Sequence, residues 1–188
     1  MSTVRFIGCL HLRHVGIHRM RGFDIDPVLT TNGIFYHDEY LIQQWNKVVS
    51  KKDTIYILGD LTMNSDKHYH LLDELYGEKI IVLGNHDIIS KKNILKLLKY
   101  VKGIGGAVEY KGYMLTHVPI HPMEAVQYRG NIHAHIHHIN KIEESIVPQL
   151  YQERTQNFST LHKYINVDAH LLNYQPISMN EIHEKIHT

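Results

Sequence analysis

Histidine is unusually frequent in this 188-residue sequence, which has 17 histidines against 19 acidic residues. Histidine is the commonest metal ligand in proteins and the usual proton shuttle. Five short clusters supply imidazole, thiol, carboxylate or amide groups: Cys9-Leu10-His11, Gly59-Asp60, Gly84-Asn85-His86-Asp87, Thr116-His117 and Ala134-His135-Ile136-His137. Because such groups are ligands of zinc, iron and manganese, the clusters predict metal-dependent chemistry.

The spacing of two clusters suits extended segments at strand ends. Residues two apart in an extended segment point to the same side, whereas on a helix they diverge. Cys9 and His11 can therefore face one cavity. The same holds for His135 and His137.

Two other clusters begin with a glycine. Gly59 and Gly84 allow a sharp turn without a side chain in the way. We expect each turn to place a polar residue, Asp60 or Asn85, beside a bound ion. The two oxygens of Asp60 could bridge two cations.

The elements that must position these clusters alternate between strands and helices. Apolar runs rich in β-branched residues predict strands at 4–7, 54–58 and 79–83, and Gly8, Gly59 and Gly84 follow them directly. Helical spacing occurs at 40–49, 70–76 and 93–101. This order favours a largely parallel sheet, and the loops at the carboxyl ends of its strands form a shared crevice.

The second half of the chain has shorter runs, at 107–110, 113–116, 131–133, 164–167 and 176–179. The turn Lys111-Gly112 predicts a hairpin and hence antiparallel pairing in this half. Residues 139–159 are polar and weakly periodic, which indicates a surface excursion. We expect one α/β domain spanning residues 1–188, a two-sheet β-sandwich with mixed strand pairing and flanking helices.

In order, the clusters C-x-H, GD, GNHD, a lone His and AHIH resemble the calcineurin-like metallophosphoesterase superfamily. That superfamily has the pattern D-x-H, GD, GNH[DE], His and GHxH. The resemblance covers roughly residues 4 to 137. More narrowly, the chain is similar to small bacterial and phage members without a cap domain, because His14 follows the first motif and because of the strings at 115–122 and 131–137.

The resemblance implies a dinuclear metal centre with Asp60 shared between two sites. Site 1 would add Cys9, His11 and His137, and site 2 would add Asn85, His117 and His135. Two such ions clamp a phosphoryl oxygen and activate a water that attacks phosphorus. His86 would stabilise the transition state or protonate the leaving oxygen, and Asp87 would orient His86.

The sequence departs from the superfamily pattern at two positions. Ala134 replaces the glycine of GHxH, a minor change if alanine can adopt that backbone conformation. Cys9 replaces the leading aspartate, and its softer sulfur favours zinc or ferrous iron at site 1 over magnesium or manganese. Buried free cysteine is common in protein cores, so Cys9 could instead be a core residue that weakens site 1.

Other polar residues have less specific interpretations. His14, Arg13, Arg21 and Asn85 could contact substrate phosphate, although His14, Arg13, Arg21 and also His18 could equally be surface residues. His121, His133 and His138 could orient metal ligands. A solvated surface position is expected for the remaining histidines, which are His37, His68, His70, His162, His170, His183 and His187.

These features favour a phosphodiesterase acting on a nucleotide or nucleic-acid-derived substrate, since a shallow site without a cap admits such molecules. A phosphomonoesterase and a catalytically weakened metal- or nucleotide-binding protein are the alternatives. The net charge of +1 and the absence of a basic stripe with aromatic residues predict no stable nucleic-acid binding. The sequence does not indicate an oligomeric state.

The sequence also predicts a cytoplasmic location. Its single cysteine excludes an intrachain disulfide, and its first residues lack a signal-peptide pattern. No apolar run approaches the roughly 18 residues that cross a bilayer.

Overall fold

The computed structural model describes residues 2–23, 36–87, 90–137 and 163–187. In chain order, its elements are β1 (Val4–Gly8), α1 (Val15–Met20), α2 (Tyr36–Val48), β2 (Thr54–Leu58), a 3₁₀ helix (Tyr69–Glu74), β3 (Glu78–Val82), α3 (Lys91–Leu97), β4 (Gly103–Gly105), β5 (Ala107–Tyr110), β6 (Tyr113–Thr116), α4 (Pro122–Ala125), β7 (Gly130–His133), β8 (Lys163–Asn166), β9 (Ile177–Ser178) and α5 (Met179–His187).

Two mixed sheets flanked by helices form the molecule, as the sequence predicts. The first sheet has the order β4-β3-β2-β1-β9, in which β9 runs antiparallel to β1 and the other pairs are parallel. The second has the order β5-β6-β7-β8. The predicted β5-β6 hairpin is confirmed, but antiparallel pairing does not extend further, because β6, β7 and β8 are parallel. The segment that contains α4 returns the chain across the sheet, as a parallel connection requires.

The first sheet is buried on both faces, which explains its nearly continuous apolar strands. Ile57 packs with Trp45 of α2 on the helical side. The adjacent residue Leu58 packs with Ile132 of β7 between the two sheets. Full burial of one such side chain contributes about 1.5–3 kcal/mol. The alternation of strand side chains thus supplies two apolar layers.

Several short elements escape sequence prediction. Helices α1 and α4 have 6 and 4 residues, too few for a periodic apolar pattern. The segment predicted as a helix at 70–76 is a 3₁₀ helix. Strand β9 ends at Ser178 and α5 begins at Met179, where a strand is expected. The predicted excursion at 139–159 lies outside the described residues.

The two sheets meet at the carboxyl end of β1. Gly8 donates a backbone hydrogen bond to Val167 (2.9 Å) and accepts one from Ala169 (2.9 Å). A Cβ atom on Gly8 would collide with the Cβ of Ala134, so the glycine lets the segment after β7 approach closely. Among the described residues, no helix has the length and apolar character that crossing a bilayer requires.

Candidate metal centre

The five polar clusters lie at the carboxyl ends of β1, β2, β3, β6 and β7, and backbone hydrogen bonds hold several of them together. Cys9 donates to the carbonyl of Gly59 (3.0 Å), and Ala134 donates to that of His117 (2.9 Å). Each of these hydrogen bonds joins two neighbouring strand ends of one sheet, and so brings together the predicted residues of that sheet.

His117 is at the centre of the group predicted as site 2. Its Nδ1 lies 2.9 Å from the carbonyl oxygen of Leu58, which is a donor bond when Nδ1 carries the proton. The other nitrogen, Nε2, then has a free electron pair. It lies 2.9 Å from Asn85 Oδ1, 3.1 Å from His135 Nδ1 and 3.3 Å from Asp60 Oδ2.

The three neighbours of His117 Nε2 suit a shared cation better than they suit hydrogen bonds from one N–H group. A single N–H on His117 could serve only one of the three neighbouring acceptors well. Two ligand atoms that lie about 2.1 Å from one ion are roughly 3.0–3.4 Å apart in octahedral or tetrahedral coordination. The separations of 2.9, 3.1 and 3.3 Å from His117 Nε2 are close to this range, so each of the three neighbours could share an ion with His117.

The pKa shifts of Asp60 and His117 show a strong charge interaction between the two side chains. Burial raises the pKa of Asp60, but hydrogen bonds and charge from His117 outweigh burial and bring the pKa down to about 2. Burial lowers the pKa of His117, yet the adjacent carboxylate raises it above its ordinary value. The Asp60 carboxylate thus attracts positive charge to this position.

The group predicted as site 1 contains a buried histidine whose ring lacks hydrogen bonds. His11 is 1% exposed, and within the described part of the chain neither ring nitrogen has a hydrogen-bond partner. Its Nε2 lies 3.7 Å from Asp60 Oδ2. Ligand atoms of Cys9, His11 and His137 all lie within 4.8 Å of one another. A buried, unsatisfied imidazole requires an explanation, and a bound ion supplies one.

Burial also gives His11 the protonation state of a ligand. Burial and, secondarily, the charge of Arg21 lower the pKa of His11 to about 3. The ring is therefore neutral near pH 7, and only the neutral imidazole binds a metal ion.

Cys9 lies between the two groups and is completely buried. Its Sγ accepts a hydrogen bond from the backbone N–H of His135 (3.2 Å), and it also lies within 4.8 Å of ligand atoms of Asp60 and His117. Burial raises the pKa of the thiol well above its ordinary value, and the nearby carboxylates reinforce this. An ion at Cys9 would displace the thiol proton.

The backbone at the candidate ligands is unusual. Positive φ angles occur at Cys9 (54°), His11 (49°), Arg13 (64°), Asp60 (53°), His135 (66°) and His137 (46°). Such angles cost about 1–3 kcal/mol for residues other than glycine and tend to cluster at functional sites. The chain thus adopts costly conformations where the predicted ligands converge.

Gly59 and Gly84 lie where the backbone leaves no room for a side chain. A Cβ on Gly59 would lie 2.5 Å from His117 Nδ1, and φ at Gly59 is 74°. A Cβ on Gly84 would lie 2.6 Å from the backbone nitrogen of Asp60 and would collide with its Oδ1. Both glycines therefore allow the ligands to approach the backbone.

His86 borders the site, but Asp87 does not orient it as expected. The backbone N–H of His86 donates to Asp60 Oδ1 (3.0 Å), and its half-buried ring lies 5.9 Å from that of His11. The buried Asp87 carboxylate instead accepts the backbone N–H groups of Asp60 (2.9 Å), Leu61 (3.0 Å) and Gly84 (2.8 Å), and no described hydrogen bond joins it to His86. Asp87 therefore braces the two loops.

The residues considered for phosphate binding differ in position. Asn85 is exposed, and the half-buried ring of His14 lies 5.8 Å from that of His11. The half-buried Arg13 places its Nε 3.7 Å from Asp38. Arg21 occupies neither of the positions expected for it, a phosphate contact or the surface. It is buried and ion-paired with Asp168 (3.2 Å), a partner far away in sequence.

The other histidines correct several expectations. His37 is buried and not solvated, and its ring stacks on that of His18 at 4.1 Å. His121 is exposed and caps α4, because its Nδ1 accepts the backbone N–H of Met123 (3.2 Å). His133 is fully buried, with Nδ1 3.0 Å from the carbonyl oxygen of Ala134, so its described bond does not orient a ligand ring. His138 and His162 lie outside the described residues.

Asp168 is completely buried and is not among the site residues predicted from the sequence. Its Oδ2 lies 3.2 Å from His137 Nδ1, the arrangement in which a carboxylate orients a ligating imidazole. Asp168 directly follows the strand predicted at 164–167. The rule that finds polar residues after strands would have found it.

Fold and site together define an α/β sandwich protein with a buried cluster of histidine, aspartate and cysteine at the carboxyl ends of its strands. The chain belongs to the family of the uncharacterized protein MJ1445 of Methanocaldococcus jannaschii. The two are 34% identical over an alignment of 188 positions, which covers 97% of this chain and 90% of that protein.

Other relatives are similar over less of the chain or are known by structure. The gene 66 protein of Mycobacterium phage L5 is 35% identical over 91 residues, 46% of this chain and 41% of the phage protein. The crystal structure of the protein of unknown function AQ665 from Aquifex aeolicus has a TM-score of 0.66 and 25% identity, covering 98% of this chain and 100% of that one. The sequence matches no model of a known protein family.

Proposed function

We propose that this chain is a metal-dependent phosphoesterase that binds two divalent ions, and that its preferred substrates are phosphodiesters of nucleotides or nucleic-acid fragments. The main support is that three potential ligand atoms, from Asn85, His135 and Asp60, lie within 2.9–3.3 Å of His117 Nε2. The unsatisfied ring of His11 supports a second ion nearby. The motif order that resembles metallophosphoesterases supplies the reaction.

Site 2 would hold its ion through Asp60, Asn85, His117 and His135, which suit manganese, zinc or iron. Site 1 would use Asp60 with Cys9, His11 and His137, and the sulfur favours zinc or ferrous iron there. When bound, the two ions would polarise the phosphoryl group and activate a water for attack on phosphorus.

The residues of the chain perform the remaining tasks. Oδ2 of Asp60 lies 3.7 Å from His11 Nε2 and 3.3 Å from His117 Nε2, and these distances support its proposed role at both sites. The backbone N–H of His86 holds the other Asp60 oxygen (3.0 Å). The His86 ring, at the border of the site, donates a proton to the leaving oxygen or stabilises the negative charge of the transition state.

Two paired arginines favour a diester over a monoester. A monoester dianion needs one more compensating positive charge than a diester does. Arg21 is bound to the buried Asp168, and the Arg13 guanidinium lies beside the buried Asp38. Neither arginine is therefore poised to neutralise the second charge of a monoester.

A phosphatase assay on protein loaded with Mn²⁺, Zn²⁺ or Fe²⁺ in turn tests the proposal. We expect hydrolysis of bis-p-nitrophenyl phosphate to exceed that of p-nitrophenyl phosphate. Because His117 would ligate, His117→Ala should lower turnover at least about 100-fold, the scale of losing one electrostatic contact to the transition state. His70→Ala is the matched control, since His70 is exposed.

Three outcomes would contradict the proposal in different ways. If neither ester is hydrolysed with any ion, the proposed enzymatic activity is contradicted. If His117→Ala and wild type have equal turnover, the proposed metal site is contradicted. A faster reaction with the monoester would identify a phosphomonoesterase instead.

Cys9→Asp tests the rival in which the chain is a weakened metal- or nucleotide-binding protein. If Cys9 is a working ligand, the carboxylate should shift the preferred ion from zinc towards manganese and change turnover by less than about tenfold. A rise of several orders of magnitude from negligible turnover would favour the binding protein. A reduced cysteine ligand also suits a reducing compartment, which supports the proposed cytoplasmic location.

A further inference from the structure

We propose that a buried chain of side chains positions the ligands of site 1 before the ion arrives. Its members are Asp168, Arg21, His37 and Asp38, and it holds both the loop of residues 9–13 and the ring of His137. The inference rests on the proposed metal centre, and it assigns these four residues a positioning role.

Arg21 is the central member of this chain. Its side chain is 2% exposed, and its NH2 group donates to the carbonyl oxygen of Cys9 (2.7 Å) and to Asp168 Oδ2 (3.2 Å). Its NH1 group lies 3.2 Å from His37 Nε2. One guanidinium thus joins the backbone of a candidate ligand to a carboxylate and to an imidazole, which its planar fork of donors allows.

His37 extends the chain from Arg21 to Asp38. Arg21 can only donate, so His37 Nε2 accepts, and the ring proton lies on Nδ1. Nδ1 then donates to Asp38 Oδ1 at 3.1 Å. The completely buried carboxylate of Asp38 accepts the backbone N–H of Arg13, at 3.2 Å and 3.3 Å from its two oxygens. The ligand loop is therefore held at both ends, at Cys9 and at Arg13.

Asp168 holds His137, the candidate ligand of site 1 that follows β7. Its Oδ2 lies 3.2 Å from His137 Nδ1 and is shared with Arg21. Asn166 Nδ2 donates to the carbonyl oxygen of His137 (3.2 Å), so both the ring and the backbone of His137 are fixed. The bond to Nδ1 leaves His137 Nε2 as the ligand atom.

The loop needs such support because its backbone is strained. Residues 9, 11 and 13 alternate into positive φ, at 54°, 49° and 64°. Conformations of this kind persist only where the surroundings impose them. Burying a guanidinium is itself costly unless its charge and donors are matched. Here the Asp168 carboxylate, which also contacts His137, matches the charge, and the Cys9 carbonyl and His37 accept further hydrogen bonds.

The alternative that this cluster holds an ion of its own does not suit its charges. Ligand atoms of His18, His37 and Asp38 lie within 4.8 Å of one another. However, His37 already has Arg21 on Nε2 and Asp38 on Nδ1. The guanidinium of Arg13, whose Nε lies 3.7 Å from Asp38, adds a second nearby positive charge. Two arginines beside the cluster disfavour a cation.

Cobalt titration of the metal-free protein tests the inference. Bound Co²⁺ is measured by equilibrium dialysis, and coordination by Cys9 is measured by the sulfur-to-cobalt charge-transfer absorption in the near ultraviolet. We expect Arg21→Lys and Asp168→Asn to require 10–100-fold more cobalt for this absorption, the usual scale for losing a group that orients a ligand. The second ion should bind within about twofold of wild type.

Arg5→Lys is the matched control. Arg5 also bonds one carbonyl oxygen, that of Pro176 (2.8 Å), and one carboxylate, that of Glu181 (3.1 Å), but it has no described contact with a candidate ligand. It should titrate as wild type. Circular dichroism checks that each variant is folded, and Arg21→Lys keeps the buried charge if Asp168→Asn fails to fold.

The possible results separate this inference from the proposed function. Sulfur absorption at wild-type cobalt concentrations in Arg21→Lys would overturn the positioning role, and so would equal weakening of both ions. Cobalt binding by wild type without sulfur absorption would also overturn it, because the loop would then not present Cys9. Wild-type protein that binds no cobalt would contradict the metal centre itself.

Discussion

At the scale of single residues, Asp87 holds together two loops of the candidate metal centre. Its carboxylate accepts backbone hydrogen bonds from Asp60, Leu61 and Gly84, across the loops that follow β2 and β3. Burial raises the pKa of Asp87, although the three donors oppose this. The residue next to the proposed proton donor His86 thus stabilises backbone geometry.

Asp87→Asn should therefore destabilise the fold, while His86→Ala should not. The amide keeps one acceptor oxygen but turns N–H donors towards backbone donors, so we expect a loss of roughly 1–3 kcal/mol in the free energy of unfolding. The half-buried His86 should change it by less than about 0.5 kcal/mol but lower turnover. Urea unfolding and the diester assay measure both effects. Equal stability of Asp87→Asn and wild type would contradict the bracing role.

Residue spacing predicted the candidate ligands but not the groups behind them. Cys9 and His11, or His135 and His137, are close in sequence and follow strands, so a local rule finds them. Arg21 and Asp168 lie 147 positions apart and form a pair only through the fold. A charged arginine next to a short, unpredicted helix carries no local sign that it is buried.

At the scale of elements, the strand ends determine how closely ligands can approach the backbone. Gly84 follows β3, and its Cα is turned towards Asp60 at the end of β2. Parallel pairing of β2 with β3 in matched register places the two loops side by side. A side chain at Gly84 would occupy the position of the Asp60 carboxylate.

Gly84→Ala should weaken both the fold and metal binding. The added Cβ would lie 2.6 Å from the backbone nitrogen of Asp60, which cannot move as a flexible side chain would. We expect a loss of about 1–3 kcal/mol in the free energy of unfolding and weaker cobalt binding. Gly106→Ala is the control, because a Cβ there meets no atom within 4 Å. Wild-type cobalt affinity in Gly84→Ala would show that the close approach is dispensable.

Long or strongly apolar elements were predictable, and short ones were not. The strands β1, β2 and β3 are apolar on both faces, and their sequence pattern reflects the two layers that they separate. Helix α5 begins directly after the two-residue strand β9, so no turn signal marks the change. Parallel pairing of β6 with β7 depends on the crossover through α4. This helix has only four residues, too few for a periodic pattern that would predict the crossover.

At the scale of the whole molecule, one carboxylate fastens the start of the chain to the first sheet. Asp53 precedes β2 and accepts the backbone N–H groups of Thr3 (2.7 Å) and Ser50 (2.8 Å). Burial would raise the pKa of Asp53, but the donors of Ser50 and Thr3 outweigh it and hold the pKa below its ordinary value. The ionised form of Asp53 thus stabilises the folded state.

The sign of this shift predicts how stability depends on pH. Because the folded-state pKa is lowered, the contribution is present above the unfolded value of about 3.9 and is lost as pH falls through the folded value. Asp53→Asn should cost roughly 1–3 kcal/mol at pH 7, and this difference should shrink below about pH 4. Urea unfolding at several pH values measures the difference in the free energy of unfolding, and Asp73→Asn is the control because Asp73 is exposed. A difference that is unchanged at pH 3 would contradict the assignment.

The backbone hydrogen bonds that Gly8 makes with Val167 and Ala169 join the two sheets, so they limit how far the sheets can separate. Separation of the two sheets would break both bonds, which lie directly beside Cys9. Amide protons of Gly8 and Ala169 can exchange with solvent only when these bonds open. The amides of Gly8 and Ala169 should therefore be among the slowest to exchange, because the two sheets behave as one rigid unit next to the candidate metal centre.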